Sequence, residues 1–358
     1  MNKIPLLDMK AQIAPLRKEI NEAMARVIDK GGFILGEEVK CLEEDICKYT
    51  NAKYAIGVSN GTDAITLALE GMNIGKGDKV ICPSFTYYAT AGAVARLGAE
   101  VVFVDIDPKT YCIDVKSIEA YFKRNTHNAI RNTKAIIPVH LYGQCADMDA
   151  ISKLAEEYDL KVIEDTAQAF GASYKSRKAG TIGDCGTVSF FPGKNLGAFG
   201  DAGMVLTNNK AVGDKIRRLR NQGADPSNKY KHEYLGHNNR LDALQAAILG
   251  VKLKSLDRWN SKRAENAAYY NEKLKGTDLM TPFAQEGNIH IYHQYVLRAK
   301  DTRKRDAAID RLQAKGIDSR VYYPIPLHLQ ECFSSSGYKI GDLPESEKAS
   351  KETFAIPV

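Results

Sequence analysis

Asp165 closes an apolar run, Leu160-Lys161-Val162-Ile163-Glu164-Asp165, and Lys194 follows a second one, Gly186-Thr187-Val188-Ser189-Phe190-Phe191, in the turn Pro192-Gly193-Lys194-Asn195. The first run reads as a buried parallel strand, so a carboxylate and an amine stand at nearby strand ends. That pairing suits pyridoxal-phosphate chemistry. The amine forms a Schiff base with the cofactor aldehyde. The carboxylate keeps the pyridine nitrogen protonated, so the ring can accept the electrons of a carbanion. Each residue alone has a plainer explanation, because most lysines are solvated surface charges and most strand-end aspartates cap a helix or a turn.

Other segments carry compatible chemistry. Val58-Ser59-Asn60-Gly61-Thr62-Asp63-Ala64 runs from a strand into a helix through a glycine. Backbone N–H groups at such a helix start, with the Thr62 hydroxyl, can hold a phosphate, although a plain helix cap explains the same residues. The segment lacks the Gly-x-Gly-x-x-Gly of dinucleotide binders, and the chain has no Gly-x-x-x-x-Gly-Lys-Ser/Thr. Tyr87, in Pro83-Ser84-Phe85-Thr86-Tyr87-Tyr88, can stack on a flat ring, with core packing as the alternative. Gln168 can donate to a phenolate oxygen, and Ser189 can reach a phosphate.

The elements that must position these groups follow a regular rhythm. Strands are expected at Tyr54–Val58, Lys79–Cys82, Val101–Asp105, Ala135–His140, Val162–Asp165, Cys185–Phe190 and Met204–Thr207. Helical patterns lie between several of them, at Thr62–Gly71, Ala89–Leu97 and Met148–Tyr158. The alternation argues a mainly parallel α/β sheet of seven strands with helices on both faces. The last two strands follow one another without a helix, which points to a mixed sheet. Before them, one amphipathic helix carries Ile13, Leu16, Ile20, Met24 and Val27 and stops at Gly31-Gly32, and a second carries Val39, Leu42 and Ile46. Residues 240–275 read as one or two long helices. A β-like run at Ile291–Arg298, a helix at Arg303–Ala314 and a short run at Ser319–Tyr323 complete a small α+β lobe. We therefore expect a large domain over residues 1–245 and a small C-terminal domain over 246–358.

Composition narrows the function. The chain has 358 residues, of which 44% are hydrophobic and 26% charged, ordinary values for a globular protein. No apolar stretch is long enough to span a membrane, and the start lacks the apolar core of a signal peptide. Seven cysteines without CxxC spacing suggest free thiols in a reducing cytoplasm and give no basis for a metal site. The net charge of +6 is modest. Its densest part, Lys210 to Lys231, reads as a solvated helix face followed by a mobile polar loop. Nucleic-acid binding is not expected, since reader motifs and aromatic interleaving are absent.

A phosphate loop, a stacking aromatic, a ring-nitrogen acid and a Schiff-base lysine thus appear in chain order. With Asn238-Asn239-Arg240-Leu241-Asp242 and Tyr323-Pro324-Ile325-Pro326-Leu327-His328 added, the chain resembles the DegT/DnrJ/EryC1/StrS family of nucleotide-sugar aminotransferases over nearly its whole length. The resemblance implies a fold-type I aminotransferase with pyridoxal 5'-phosphate as cofactor. It implies that Lys194 holds the cofactor and shuttles protons, and that Asp165 pairs with the pyridinium. Gln168 would meet the ring hydroxyl, Tyr87 would cover the ring, and Gly61, Thr62 and Ser189 would hold the phosphate. Asn238 would reach that phosphate from the neighbouring subunit, which implies a homodimer with composite active sites. Arg240, Tyr323 and His328 would lie near the sugar or its diphosphate, with an interface ion pair as the other explanation of Arg240.

The implied reaction is ping-pong transamination from L-glutamate to a keto-sugar on UDP or dTDP, in amino-sugar biosynthesis such as that of lipopolysaccharide O-antigen. Tyr-Pro-Ile-Pro-Leu-His resembles members that aminate C3 more than those that aminate C4. Sugar dehydratases of the family carry histidine in place of the lysine, so Lys194 argues against that activity. A cyclitol ketone as substrate, or a cofactor-binding regulator, are the other readings. A regulator would usually carry a helix-turn-helix, and the first fifty residues show no such pair with basic recognition residues. Three departures stand out: Gly200-Asp201-Ala202-Gly203 replaces Gly-Asp-Gly-Gly, Gln222 replaces a common histidine, and relatives continue past Val358 into a last helical segment, which suggests truncation of the small lobe.

Overall fold

The computed structural model describes residues 3–358. Its central sheet has seven strands: β1 (Tyr54–Val58), β2 (Lys79–Pro83), β3 (Glu100–Val104), β4 (Thr133–Ile136), β5 (Lys161–Asp165), β6 (Cys185–Ser189) and β7 (Gly203–Thr207). They lie in the order β1-β7-β6-β5-β4-β2-β3. β7 runs antiparallel to both β1 and β6, and all the other pairings are parallel. The direct succession of β6 and β7 thus produces the antiparallel pair expected of it.

Side-chain alternation explains the two-faced burial. Val80 and Cys82 face one core, with Ile65, Leu69 and Ile216 from the helices Gly61–Gly71 and Lys210–Leu219. Ile81, between them, faces the opposite core, with Ile118 and Ile151 from Val115–Arg124 and Met148–Glu157. Ile136 and Val162 join that second core, and Ala135 and Ile163 the first. A strand covered on both sides must be apolar at successive positions, as these are. Asn60, Asp114, Asp147 and Asn209 start their helices by accepting from first-turn N–H groups.

Several boundaries differ from expectation. The first helix is broken into Met9–Ile13, a 3-10 turn at Ala14–Leu16 and Arg17–Lys30, because Pro15 lacks an N–H. It ends at Gly31 in the left-handed region, φ +68. The run Ala135–His140 keeps ladder geometry only to Ile136, ahead of Pro138, although Val139 still bridges Asp165. Ile291–Arg298 is a strand only over β8 (Tyr295–Arg298), which pairs antiparallel with β9 (Thr353–Ile356). Ser319–Tyr323 contributes a single bridge, Arg320 to Ala355. The polar stretch after Lys210–Leu219 contains a short ribbon, Ala224–Asp225 against the exposed Asn228–His232. The expected boundary at 245/246 falls inside the helix Ala243–Leu253. That helix is buried against Leu16, Ile20 and Val27 on one side and Val39 and Leu42 on the other. No helix among the described residues is long and apolar enough to cross a membrane.

Glu164, wholly buried in β5, fixes the depth of the strand end that carries Asp165. It accepts from the backbone N–H groups of Gly180 (2.9 Å), Ile182 (2.6 Å) and Gly183 (2.8 Å), and its other contact is the His140 Nε2 at 2.8 Å. Removing a buried carboxylate that satisfies several donors costs about 3–5 kcal/mol. Glu164→Ala is therefore expected to lower the free energy of unfolding by that amount, read as a lower urea midpoint, and an unchanged midpoint contradicts this role.

Candidate active site

Beyond the carboxyl ends of the parallel strands lies a cavity of about 710 Å³, where open α/β sheets bind ligands. Lys194 projects from the turn after β6, with its backbone N–H bonded to the Phe191 carbonyl at 2.8 Å. Among the described residues no hydrogen bond or ion pair ends on its Nζ. Burial pulls this amine down to about 8, and the Asp165 charge opposes the shift. Asp165 is itself buried. Its Oδ2 accepts from the Thr90 hydroxyl at 2.8 Å and its Oδ1 from the Ala167 N–H at 3.1 Å, so the carboxylate is fixed in orientation.

Gln168 is held on both ends, its Oε1 accepting from the Tyr142 N–H and its Nε2 donating to the Tyr323 hydroxyl, each at 2.8 Å. Tyr323 lines the cavity, with its ring centroid 6.1 Å from that of Tyr87. Tyr87 is 60% exposed, an unusual state for a tyrosine on a cavity wall and one that leaves ring surface open.

Gly61, Thr62 and Ser189 form another part of the wall. The side chain of Asn60 satisfies the Asp63 N–H, while the N–H groups of Gly61 and Thr62, at the first turn, have no intrahelical acceptor. The helix start fits against the strand ends only because two residues lack a side chain. A Cβ on Gly61 would meet Ser189 Cβ at 2.7 Å, and one on Gly203 would meet the Asn60 backbone at 2.4 Å. The result is a cradle of N–H and hydroxyl groups.

Two expected residues, Arg240 and His328, are not in the wall, and Asn238, expected to serve the neighbouring subunit, is also outside it. Asn238 is exposed and bridges Asn221, and Arg240 donates to the Asn221 Oδ1 at 3.3 Å while its backbone bridges Val58. His328 is a correction. It is buried, with Nδ1 2.6 Å from the Ser84 hydroxyl and Nε2 3.4 Å from Glu347 Oε1, and both contacts hold it in the core away from the cavity.

Other wall residues gave no sequence signal. Thr86 lines the wall, and its hydroxyl lies 3.3 Å from that of Thr90, the residue that donates to Asp165. Arg263, His293 and Gln294 come from the helix Leu256–Lys273 and the segment before β8. His293 Nδ1 lies 2.9 Å from Asn195 Oδ1. Burial holds its imidazole well below the usual range, and the positive charges of Lys194 and Arg263 add to the effect. Behind the Lys194 turn, the wholly buried Lys252 donates to the Gly197 carbonyl, with the Phe199 and Trp259 rings 5.5 and 5.9 Å away.

Residues 15–358 match the family model of DegT/DnrJ/EryC1/StrS aminotransferases. The chain belongs to that family. It is 49% identical, over 99% of its length and 93% of the relative's, to a Geobacillus stearothermophilus protein named pleiotropic regulatory protein. It is 42% identical, over 99% of its length and 92% of the relative's, to UDP-N-acetyl-3-dehydro-alpha-D-glucosamine 3-aminotransferase of Acidithiobacillus ferrooxidans. Among solved structures, S. venezuelae DesV in complex with a ketimine intermediate superposes with a TM-score of 0.94 at 39% identity, covering 100% of this chain and 94% of that one. DegT/DnrJ/EryC1/StrS aminotransferases depend on pyridoxal phosphate. The cavity fits that cofactor: an unpaired amine of lowered basicity, a fixed carboxylate and a glycine-built cradle of donors line one space.

In the cofactor-free chain the Lys194 amine is expected to be half neutral near pH 8, whereas exposed lysines stay charged to about pH 10. Acylation at a series of pH values, mapped by mass spectrometry, reads this midpoint. Asp165→Asn removes the opposing charge and is expected to move the midpoint down. A Lys194 that titrates with the surface lysines, or a midpoint that rises in Asp165→Asn, contradicts the assignment.

Proposed function

We propose that this family member transfers an amino group from L-glutamate to the C3 ketone of a sugar carried on UDP or dTDP, in amino-sugar biosynthesis of the kind that supplies lipopolysaccharide O-antigen. One observation carries the reading: a buried, unpaired lysine amine shares a cavity with a strand-end carboxylate whose orientation is fixed. The substrate class is supported by the Acidithiobacillus ferrooxidans relative, named for 3-amination of a UDP-linked keto-sugar.

In this mechanism Lys194 would hold the cofactor through its amine. When bound, pyridoxal phosphate supplies an aldehyde that takes the donor's nitrogen and a ring that accepts carbanion electrons. Lys194, freed as a neutral amine, takes the proton from the reacting carbon and returns it on the other side of the transfer. Its low basicity suits both directions near neutral pH. Asp165 holds a proton at the ring nitrogen, kept in place by Thr90 and Ala167. Gln168 would hold the ring hydroxyl and Tyr87 would pack on the ring. Gly61, Thr62 and Ser189 would seat the phosphate, and Tyr323, the one of the expected substrate residues on the wall, would meet the sugar nucleotide. The buried His328 supports the Ser84 loop from behind instead of touching substrate.

We further propose a homodimer in which Asn238 completes the partner's phosphate seat. It is supported by the exposure of Asn238 and, three residues earlier, of Leu235, which is 97% exposed. Free cysteines throughout support a cytoplasmic location. We also read the chain as a large cofactor-binding domain over residues 1–245 and a small C-terminal domain over 246–358 that contains β8 and β9. A regulatory role draws support from the name of the Geobacillus stearothermophilus relative, and the Lys194 chemistry separates the two readings.

Glutamate added to the loaded protein should abolish the absorbance of the cofactor's aldehyde form. A panel of keto-sugar nucleotides should then restore it, with NMR of the product locating nitrogen at C3. Lys194→Ala is expected to lose turnover with its fold intact. Normal turnover in that variant, or no spectral response to any amino acid in the wild type, overturns the enzymatic reading.

A further inference from the structure

Arg263 is turned inward from the helix Leu256–Lys273 onto the cavity wall that also carries Lys194. Its Nη1 donates to the carbonyls of Tyr292 at 3.2 Å and His293 at 3.3 Å. Among the described residues no carboxylate lies within ion-pair distance of the guanidinium. Burial lowers its basicity and no acidic neighbour counteracts it. An interior cation without a counter-charge is costly, and the cost is relieved when an anion arrives.

A complementary group stands next to it. The Oε1 of Gln294 is buried and accepts no hydrogen bond, although Gln294 lines the same cavity. Its backbone is tied down through the Tyr142 carbonyl at 3.3 Å, so the side chain has a fixed root. Between the two lies His293, whose ring feels the charges of both Lys194 and Arg263. Arg263, Gln294 and Lys194 line one cavity, and the guanidinium makes no hydrogen bond to the cradle at Gly61 and Thr62. This wall offers one charged donor and one free acceptor beside Lys194.

An α-amino acid carries the matching pair on a single carbon: a carboxylate and an ammonium. We propose that Arg263 and Gln294 seat the amino donor, with the guanidinium binding the carboxylate on the carbon that gives up nitrogen and Gln294 Oε1 accepting from its ammonium. A sugar diphosphate fits this position less well. In a 3-keto sugar the diphosphate is separated from the reacting carbon by part of a hexose ring, whereas the donor's carboxylate is one bond from its reacting carbon.

This inference rests on the aminotransferase reading, and separate half-reactions distinguish their failures. In the loaded protein, Arg263→Met is expected to raise the KM for glutamate roughly 10- to 100-fold. The half-reaction with the keto-sugar nucleotide, started from the aminated protein, should keep its KM within about twofold. 4-Aminobutyrate, which is glutamate without that carboxylate, supplies the decisive comparison. The wild type should prefer glutamate over it strongly, Arg263→Met should lose most of the preference, and Arg263→Lys should recover part of it. Gln294→Leu is expected to raise the glutamate KM alone, and it serves if Arg263→Met does not fold. A KM that rises for the keto-sugar instead of glutamate, or a glutamate preference untouched by Arg263→Met, overturns the donor seat while leaving the aminotransferase reading intact. A wild type that accepts nitrogen from no amino acid overturns both.

Discussion

A carboxylate removed from water must take its donors from the protein, and Glu164 takes three backbone amides and a contact with the His140 ring. These donors lie on the segment 180–183 and on the chain beyond β4, so one side chain ties two loops to the end of β5. Because successive strand residues point to opposite faces, the next side chain, Asp165, is aimed at the cavity. The strand cannot slip without uncovering Glu164, and a slip by one residue would also exchange the two carboxylates. The placement of the reactive carboxylate therefore follows from a neighbour that does no chemistry. β6 pairs with this strand, Asp165 opposite Thr187, so the turn holding Lys194 inherits the same registration.

Charge is distributed in the cavity with similar economy. Lys194, Arg263 and His293 line one cavity, the charges of the first two bear on the imidazole, and three cations together would be untenable in a partly desolvated space. Burial resolves the conflict by holding the imidazole neutral and lowering the basicity of the lysine. Arg263 keeps its charge, since a guanidinium stays protonated far above neutral pH. On the opposite side, Gly61 and Gly203 let a helix start approach two strand ends more closely than any other residue would permit. The cavity thus has a neutral-donor end suited to a phosphate and a cationic end beside the lysine.

The sheet was legible in the sequence because its strands are buried on both faces and separated by helices, which makes each run apolar and bounded. The site residues at strand ends, Asp165 and Lys194 above all, were legible for the same reason: their position follows from the run before them. His328 was misplaced because a motif gives neighbours in sequence, whereas the Ser84 hydroxyl and Glu347 that trap it come from distant segments. Arg263, His293 and Gln294 left no trace for a related reason. They sit on a helix and at the head of a short strand, and only the packing of the small lobe brings them to the lysine. β4 also ended before Pro138, although β2 runs on to Pro83 at its end.

The position of β7 has a consequence for how the chain is made. β1 has one sheet partner, β7, with Tyr54 opposite Thr207 and Val58 opposite Gly203. A ribosome delivers the N-terminal strand long before the strand that must cover its edge. Through that interval its unpaired backbone is a template for wrong partners, and pairing between such distant segments is slow to form. The helix Glu37–Thr50, which contributes Val39, Leu42 and Ile46 to the core beside Ala55, emerges first and can shield one face of the waiting strand. The N-terminal helices thereby act as a temporary escort during synthesis before they become part of the finished core.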